Sequence, residues 1–330
     1  LFPLFECKNF GHWLIGYYLV IGAWSLVIDM KILYTSDLHG EIDLYMELYE
    51  LIISSSAEVV AIGGDLLPSF PPTKRYEDMV PNQKNFIDKF LIDFLKRMIE
   101  TTYVKQVFLI PGNWDLGYPY LFREEFEGII DLNQKSYQLN NRYELIGYPF
   151  VPPTPFRPKD YEKMDDLKSA WPLQKHPSYI RSSHQTDQLT PIDPYLFLKQ
   201  RETIREDLDR LPKPLHLKRT IYIMHSPPFG TRLDFTKEGK SAGSLSIKAF
   251  IEEHQPLLTL HGHIHESPDI SGFYFDRIGE TISINPGQSI WKGKEISKLY
   301  AVTFEIENVE GTLKHTCYHS NSNHQIPNPK

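Results

Sequence analysis

Residues Leu257 to His265 read LLTLHGHIH, a short apolar run that stops at three histidines within five positions, His261, His263 and His265. The run is the length of a buried strand. Clustering imidazoles in a glycine-containing turn serves ligation far better than it serves packing. Working outward, the same arrangement of apolar strand followed by polar cluster recurs four times. Lys31 to Thr35 leads into Asp37-Leu38-His39-Gly40, Val59 to Ile62 into Gly63-Gly64-Asp65, Gln106 to Ile110 into Gly112-Asn113-Trp114-Asp115, and Thr220 to Met224 into His225-Ser226-Pro227-Pro228. Between the strands, apolar residues return at helical spacing, as in Ile42, Tyr45, Leu48, Tyr49 and Ile52, and again in Ile87, Phe90, Phe94, Leu95 and Met98. Strands alternating with amphipathic helices predict a layered α/β fold, in which the carboxyl ends of the strands converge on one crevice.

The side chains gathered at those ends are imidazoles, carboxylates and one carboxamide, a nitrogen and oxygen set suited to borderline divalent metals. Two such ions held close together need a shared anion to offset their repulsion, and Asp65 is the expected bridge. The Asp-x-His spacing of Asp37 and His39, and the His-x-His of His263 and His265, would put each pair on one side of an extended segment. Any one cluster alone is also a common turn or helix start. Five in order, each behind a strand, are not.

The 330 residues are 41% hydrophobic, enough for a sizeable core, which excludes a disordered chain. A net charge of -7 gives no general attraction to a phosphate backbone, so nucleic acid is an unfavoured partner. Two cysteines, Cys7 and Cys317, build neither a disulfide framework nor a thiolate zinc site, and they fit the reducing cytoplasm. Phe10 to Ile28 carries no Asp, Glu, Lys or Arg over a length that can cross a bilayer. It leads without a linker into the first strand, so residues 1–29 are expected to be an apolar extension outside the fold. A membrane anchor through residues 10–28 is the alternative, and membrane contact is expected only in that case. The sequence carries no signal for oligomeric state.

The main domain is expected over residues 30–330, interrupted at about 148–214 by a proline-rich insertion over the sheet edge, either a surface excursion or a cover for the substrate. Asp193 and Pro194 start a helix there, with Phe197, Ile204, Leu208 and Leu211 on one side. Gly243-Ser244 opens another helix, whose first N–H groups are candidates to hold a phosphate oxygen.

The ordered series of Asp-x-His, Gly-Asp, Gly-Asn-x-Asp, His and Gly-His-x-His from Asp37 to His265 resembles the calcineurin-like metallophosphoesterase superfamily. The stretches Thr231-Arg232-Leu233-Asp234 and Gly262-His263-Ile264-His265-Glu266-Ser267 are most similar to a bacterial and archaeal subgroup of predicted phosphoesterases. The resemblance implies a four-layer α/β/β/α sandwich of two facing mixed sheets and a dinuclear centre. It assigns Asp37, His39, Asp65 and His265 to one divalent ion and Asp65, Asn113, His225 and His263 to the other, the metals being Mn, Fe, Zn or Ni. It implies hydrolysis of a small phosphomonoester or phosphodiester by an activated water. The same fold also serves as a protein-binding scaffold, against which the intact set of seven ligand positions argues.

One position departs from the family pattern. Trp114 stands where the third cluster usually carries a histidine that assists the leaving group. An indole N–H donates a hydrogen bond but passes no proton at neutral pH. His261 and Asp115 are the candidate replacement donors, and Arg232 is a candidate phosphate contact.

Overall fold

The computed structural model describes residues 30–71, 73–166, 176–181, 187–288, 298–306 and 313–319. The apolar segment at residues 10–28 lies outside them. No helix among the described residues is long and apolar enough to cross a membrane.

Two six-stranded sheets form the centre. The first comprises β1 (Lys31–Thr35), β2 (Val59–Ile62), β3 (Gln106–Leu109), β4 (Ile129–Asp131), β13 (Tyr300–Ile306) and β14 (Leu313–His319), in the order β14-β13-β1-β2-β3-β4. The second comprises β5 (Ser136–Gln138), β6 (Glu144–Tyr148), β9 (Thr220–Met224), β10 (Leu258–Leu260), β11 (Phe275–Ile278) and β12 (Thr281–Ile284), in the order β11-β12-β10-β9-β6-β5. A separate pair, β7 (Ser178–Arg181) and β8 (Leu189–Ile192), is antiparallel. In the first sheet β1, β2, β3 and β4 run parallel and β13 joins β1 antiparallel. In the second β6, β9, β10 and β12 are parallel, with antiparallel edges. Both sheets are therefore mixed.

Strand periodicity builds the layers. Ile32, Tyr34, Val59, Ala61 and Phe108 of the first sheet share a core with Leu145, Ile221, Ile223, Leu258 and Leu260 of the second, so these alternate residues face the interior between the sheets. The intervening positions, Leu33, Val60, Ile62, Val107 and Leu109, turn the other way. They pack against α1 (Ile42–Ser55) and the long helical segment formed by α2 (Met79–Phe86), a π-helical stretch Ile87–Leu91, and α3 (Ile92–Thr101). Each fully buried Leu or Ile contributes about 1.5–3 kcal/mol of transfer free energy. A short α4 (Tyr118–Leu121) follows β3.

On the outer face of the second sheet, Ile146, Tyr148, Tyr222 and Met224 meet α6 (Ile204–Arg210) and α7 (Leu245–His254). The proline-rich segment thus lays a helix on the sheet face as well as bordering it. Where sequence spacing suggested a single helix from Pro194 to Leu211, there are two. α5 (Pro194–Lys199) ends early, and Thr203 opens α6 with a reciprocal cap to Glu206, which fixes a fresh start that helical periodicity alone does not reveal. The last helix, α8 (Ser267–Ser271), follows the histidine cluster.

Candidate metal centre

The loop after β1 is laced to the loop after β2. The N–H groups of Asp37, His39 and Gly40 donate to the carbonyls of Gly64, Asp65 and Leu66, at 2.9, 2.7 and 2.9 Å. The loop after β10 joins them, since the His263 N–H donates to Asp37 Oδ1 at 3.0 Å and the Gly262 N–H to the His225 carbonyl. Asp37, His39, Asp65 and His263 all have positive φ, at 58°, 47°, 51° and 65°. Their convergence comes from left-handed turns rather than from the period-two geometry expected of a strand. For residues with a Cβ such a conformation is costly, of order 1–3 kcal/mol each, and such strain concentrates at functional sites. Close approach explains two of the glycines. A Cβ on Gly64 would lie 2.5 Å from His225 Nδ1, and one on Gly112 would collide with the Asp65 carboxylate.

Asp65 occupies the middle. Its Oδ1 accepts from the Trp114 N–H at 2.8 Å. Its Oδ2 faces two imidazoles, His39 Nε2 at 3.7 Å and His225 Nε2 at 3.4 Å. A second imidazole stands behind each: His265 has its ring centroid 6.1 Å from that of His39, and His263 lies 5.3 Å from His225. One carboxylate oxygen thus sits between two histidine pairs. Ligand atoms of Asp37, His39 and Asp65 all lie within 4.8 Å of one another, as one cation would require.

The remaining polarity of the site is set up for ligation. His225 Nδ1 lies 2.8 Å from the Gly63 carbonyl, a contact that orients the ring so that Nε2 faces Asp65. His39 Nδ1 contacts the Ser69 hydroxyl in the same supporting sense. Burial and the neighbouring His225 push His263 down to about 3, and burial lowers His39, so both are neutral donors at pH 7. Burial alone would raise Asp65, but the His225 and His39 beside it hold its carboxyl well below the usual range. For His225, burial is outweighed by the Asp65 carboxylate, which lifts it to about 9. Both side-chain polar atoms of Asn113, and His225 Nε2, are buried without a hydrogen-bond partner. Leaving such atoms unpaired costs about 1–3 kcal/mol each. Unpaired buried polar atoms of this kind, in loops joined to the Asp37, His39 and Asp65 group, fit a site that holds a cation.

Six of the sequence-chosen residues are thus linked by direct contacts, Asp37, His39, Asp65, His225, His263 and His265, and Asn113 lies in the loop whose Trp114 N–H is bonded to Asp65. Two of the other candidates, His261 and Asp115, are committed to structural bonds. His261 is fully buried with its Nδ1 at the Ser226 and Met224 carbonyls, 2.9 and 3.1 Å away, and its Nε2 at the Thr259 hydroxyl, 2.8 Å away. Burial lowers it to about 4. No nitrogen is free for substrate. Asp115 accepts from the N–H groups of Leu66, Leu67 and Gly112, binding the β2 and β3 loops together, and it too faces away from solvent. Arg232 is exposed, with its guanidinium 4.0 Å above the Phe273 ring. Ser244 does cap α7, but the N–H groups of Leu245 and Ser246 are bonded to Asp165, a carboxylate of the proline-rich segment, and are closed to phosphate. Trp114 packs with Met79, Val80 and Leu116 and presents no acid in place of the imidazole.

Several positioning residues gave no local signal in the sequence. Ser69 is one. Asn285 is another, its amide donating to the carbonyls of Leu233, Gly262 and Ile264 and thereby fixing the loop that carries His263.

No curated protein matches the chain in sequence. Among solved structures, one superposes with a TM-score of 0.52 at 17% identity, covering 89% of this chain and 100% of its own. A dimetal phosphatase from Danio rerio is 10% identical, with a TM-score of 0.46, covering 88% of this chain and 95% of its own. The sequence model for calcineurin-like phosphoesterases matches residues 30–267, which takes in every cluster that lines the site. The chain belongs to the calcineurin-like phosphoesterase family, with the two facing mixed sheets of that fold.

Proposed function

We propose that the protein hydrolyses a small phosphomonoester or phosphodiester with the help of two divalent cations. Asp37, His39, Asp65 and His265 would hold one, and Asp65, Asn113, His225 and His263 the other. The observation that carries this reading is Asp65 Oδ2 facing one imidazole from each of two histidine pairs, together with a buried, unpartnered Asn113 amide in the loop bonded to Asp65 Oδ1. Once bound, such cations supply acidification of a water, alignment of the phosphoryl group and neutralisation of its charge. The nitrogen and oxygen donors suit Mn, Fe, Zn or Ni.

The chain's own residues define the rest. Gly63 and Ser69 orient the His225 and His39 rings, and Asn285 fixes the His263 loop, so the donor set is organised before any ligand arrives. Among the described residues, none of the candidates for the leaving-group side is available as a proton donor, because Trp114 replaces the imidazole and His261 and Asp115 are committed elsewhere. General acid assistance typically contributes about 10²–10⁴-fold, so esters with acidic leaving groups are the favoured substrates. We also read the protein as cytoplasmic, a reading supported by the free, buried thiol of Cys317.

Elemental analysis of Mn²⁺-loaded protein, paired with assays on p-nitrophenyl phosphate and bis-p-nitrophenyl phosphate, tests the proposal. Two metals per chain and turnover of either ester are the expected result. No bound metal and no turnover with any divalent cation would instead leave a protein-binding scaffold of the same fold.

A further inference from the structure

Beside the donor set lies an aromatic wall assembled from three separated stretches of chain. Trp114 follows Asn113 directly, Phe70 follows the Ser69 that braces His39, and Phe156 comes from the proline-rich segment. The Trp114 ring lies 5.1 Å from that of Phe70 and 5.3 Å from that of Phe156, tilted by about 50° to each. Trp114 itself is 7% exposed, whereas Phe70 is 62% and Phe156 43% exposed. Two rings are thus left open to water against a buried one, on loops joined to the donor set through the Trp114 N–H to Asp65 and through Ser69 to His39. Phe70 leaves most of its surface and Phe156 nearly half of its own in water, which is unfavourable for large apolar rings unless something covers them.

The segment that supplies Phe156 is fastened to this loop. Arg181 donates to the Leu116 carbonyl at 3.1 Å, Lys84 of α2 pairs with Asp187 at 2.9 Å, and the Tyr76 and Tyr179 rings stack at 6.3 Å. The wall is therefore held in place from both sides rather than carried on a free loop.

We infer that the aromatic wall of Phe70, Trp114 and Phe156 receives the leaving group of an aryl phosphoester, in which the ring is bonded directly to the departing oxygen. The inference rests on the phosphoesterase reading above and names its substrate class. Two independent features meet in it. The missing proton donor demands a leaving group that departs as an anion, and an aryl oxide is far more stable in that form than an alkoxide. The open rings pack on Trp114, the residue next to Asn113, and Phe70 follows the Ser69 that contacts His39, so an aromatic group bonded directly to the departing oxygen suits this wall better than one held off by a sugar. In the step, a water oxygen bonds to phosphorus while the bond from phosphorus to the aryl oxygen breaks. The electron pair leaves on the aryl oxide, and the water's proton and the one taken up by the aryl oxide are exchanged with solvent.

The test separates stacking from leaving-group acidity. Phenyl phosphate and hexafluoroisopropyl phosphate have leaving groups of similar acidity, but only one is a ring. Wild-type protein is expected to prefer the phenyl ester in kcat/KM, and Phe70→Leu and Phe156→Leu, which keep apolar volume without a ring, are each expected to reduce that preference about tenfold, mainly through KM. An unchanged preference in both variants overturns the inference. Failure of the phosphoesterase reading is recognisable separately, as no turnover of either ester. In that case the wall is judged by binding: phenylphosphonate should alter the Trp114 fluorescence, isolated as the difference from Trp114→Phe, whereas methylphosphonate should not. Equal responses to the two, or none, overturn the aryl site.

Discussion

Two buried polar regions of this molecule are built on opposite terms. In the proline-rich segment, Lys159 and Glu162 are both fully buried, and the ammonium donates to both carboxylate oxygens, at 3.0 and 2.9 Å, and to the carbonyls of Thr154 and Phe156. Glu162 also accepts from the Thr154 N–H and hydroxyl. Nearby, Asp207 is shared by Lys163 and Tyr148. Every charge there is matched within the chain. At the strand ends the reverse holds: Asn113 and His225 keep buried atoms unpaired, and four ligand residues adopt left-handed backbone. Internal satisfaction marks a region that the fold uses for itself, and unmet demand combined with strain marks one reserved for something else.

The contrast breaks most sharply at Asp65. Asp65→Asn should remove metal from the protein and lower phosphoester turnover by about 10³-fold or more, since the shared anion is gone. In the metal-free state the variant also loses the pairing of Asp65 with His225, and it should be about 1 kcal/mol less stable than metal-free wild type. Loss of metal-free stability by several kcal/mol would show that Asp65 is as structural as Lys159.

The opposite substitution comes next in size. Lys159→Met strands a buried carboxylate and should cost about 3–5 kcal/mol in urea unfolding, with metal content per folded chain unaltered. Adding Glu162→Leu should recover most of that loss. A single variant that costs under about 1 kcal/mol would contradict the pairing.

Between the two regions stands Trp114, bonded to Asp65 through its backbone and packed against Phe156 through its ring. Trp114→His should raise turnover of an alkyl phosphate about tenfold or more by restoring a proton donor. A flat response there, with metal content intact, would mean that leaving-group protonation does not limit the rate. Smallest is the cap of α6: Thr203→Ala should lower stability by about 1 kcal/mol without changing kcat/KM. A kinetic effect would tie the proline-rich segment to turnover through more than Phe156.

How much of this could be read from the sequence follows from the range of each interaction. Strand ends punctuated by Gly, Asp and His are local signals, so the strand-end clusters and the layered fold were legible. The two sheets follow from alternation within five-residue runs such as Lys31 to Thr35. What separates His261 from His263 is not local. The two are equivalent in the turn LHGHIH until the left-handed φ of His263 sends one toward Asp65, while Met224, Ser226 and Thr259 hold the other. Asp115 resembled an acid by position, yet its bonding partners lie at Leu66 and Leu67 in another loop. Asp165 closes the N-terminus of α7 from a segment with no recognisable pattern. The Thr203-x-x-Glu206 cap, in contrast, was present in the sequence and was hidden by the run of apolar residues on either side.

The placement of β13 has a consequence for biosynthesis. The strand covers β1, and the Thr35 hydroxyl reaches the Tyr300 carbonyl across 265 positions of chain. Gln288 adds a bridge between the Ser36 carbonyl and the Tyr300 N–H. During translation the edge of β1 therefore stays uncovered until all five strand-end clusters have already emerged. An uncovered edge is a template for pairing with other chains. A ribosome that stalls before Tyr300 would display an adhesive strand, so the final strands act as the seal on nascent protein.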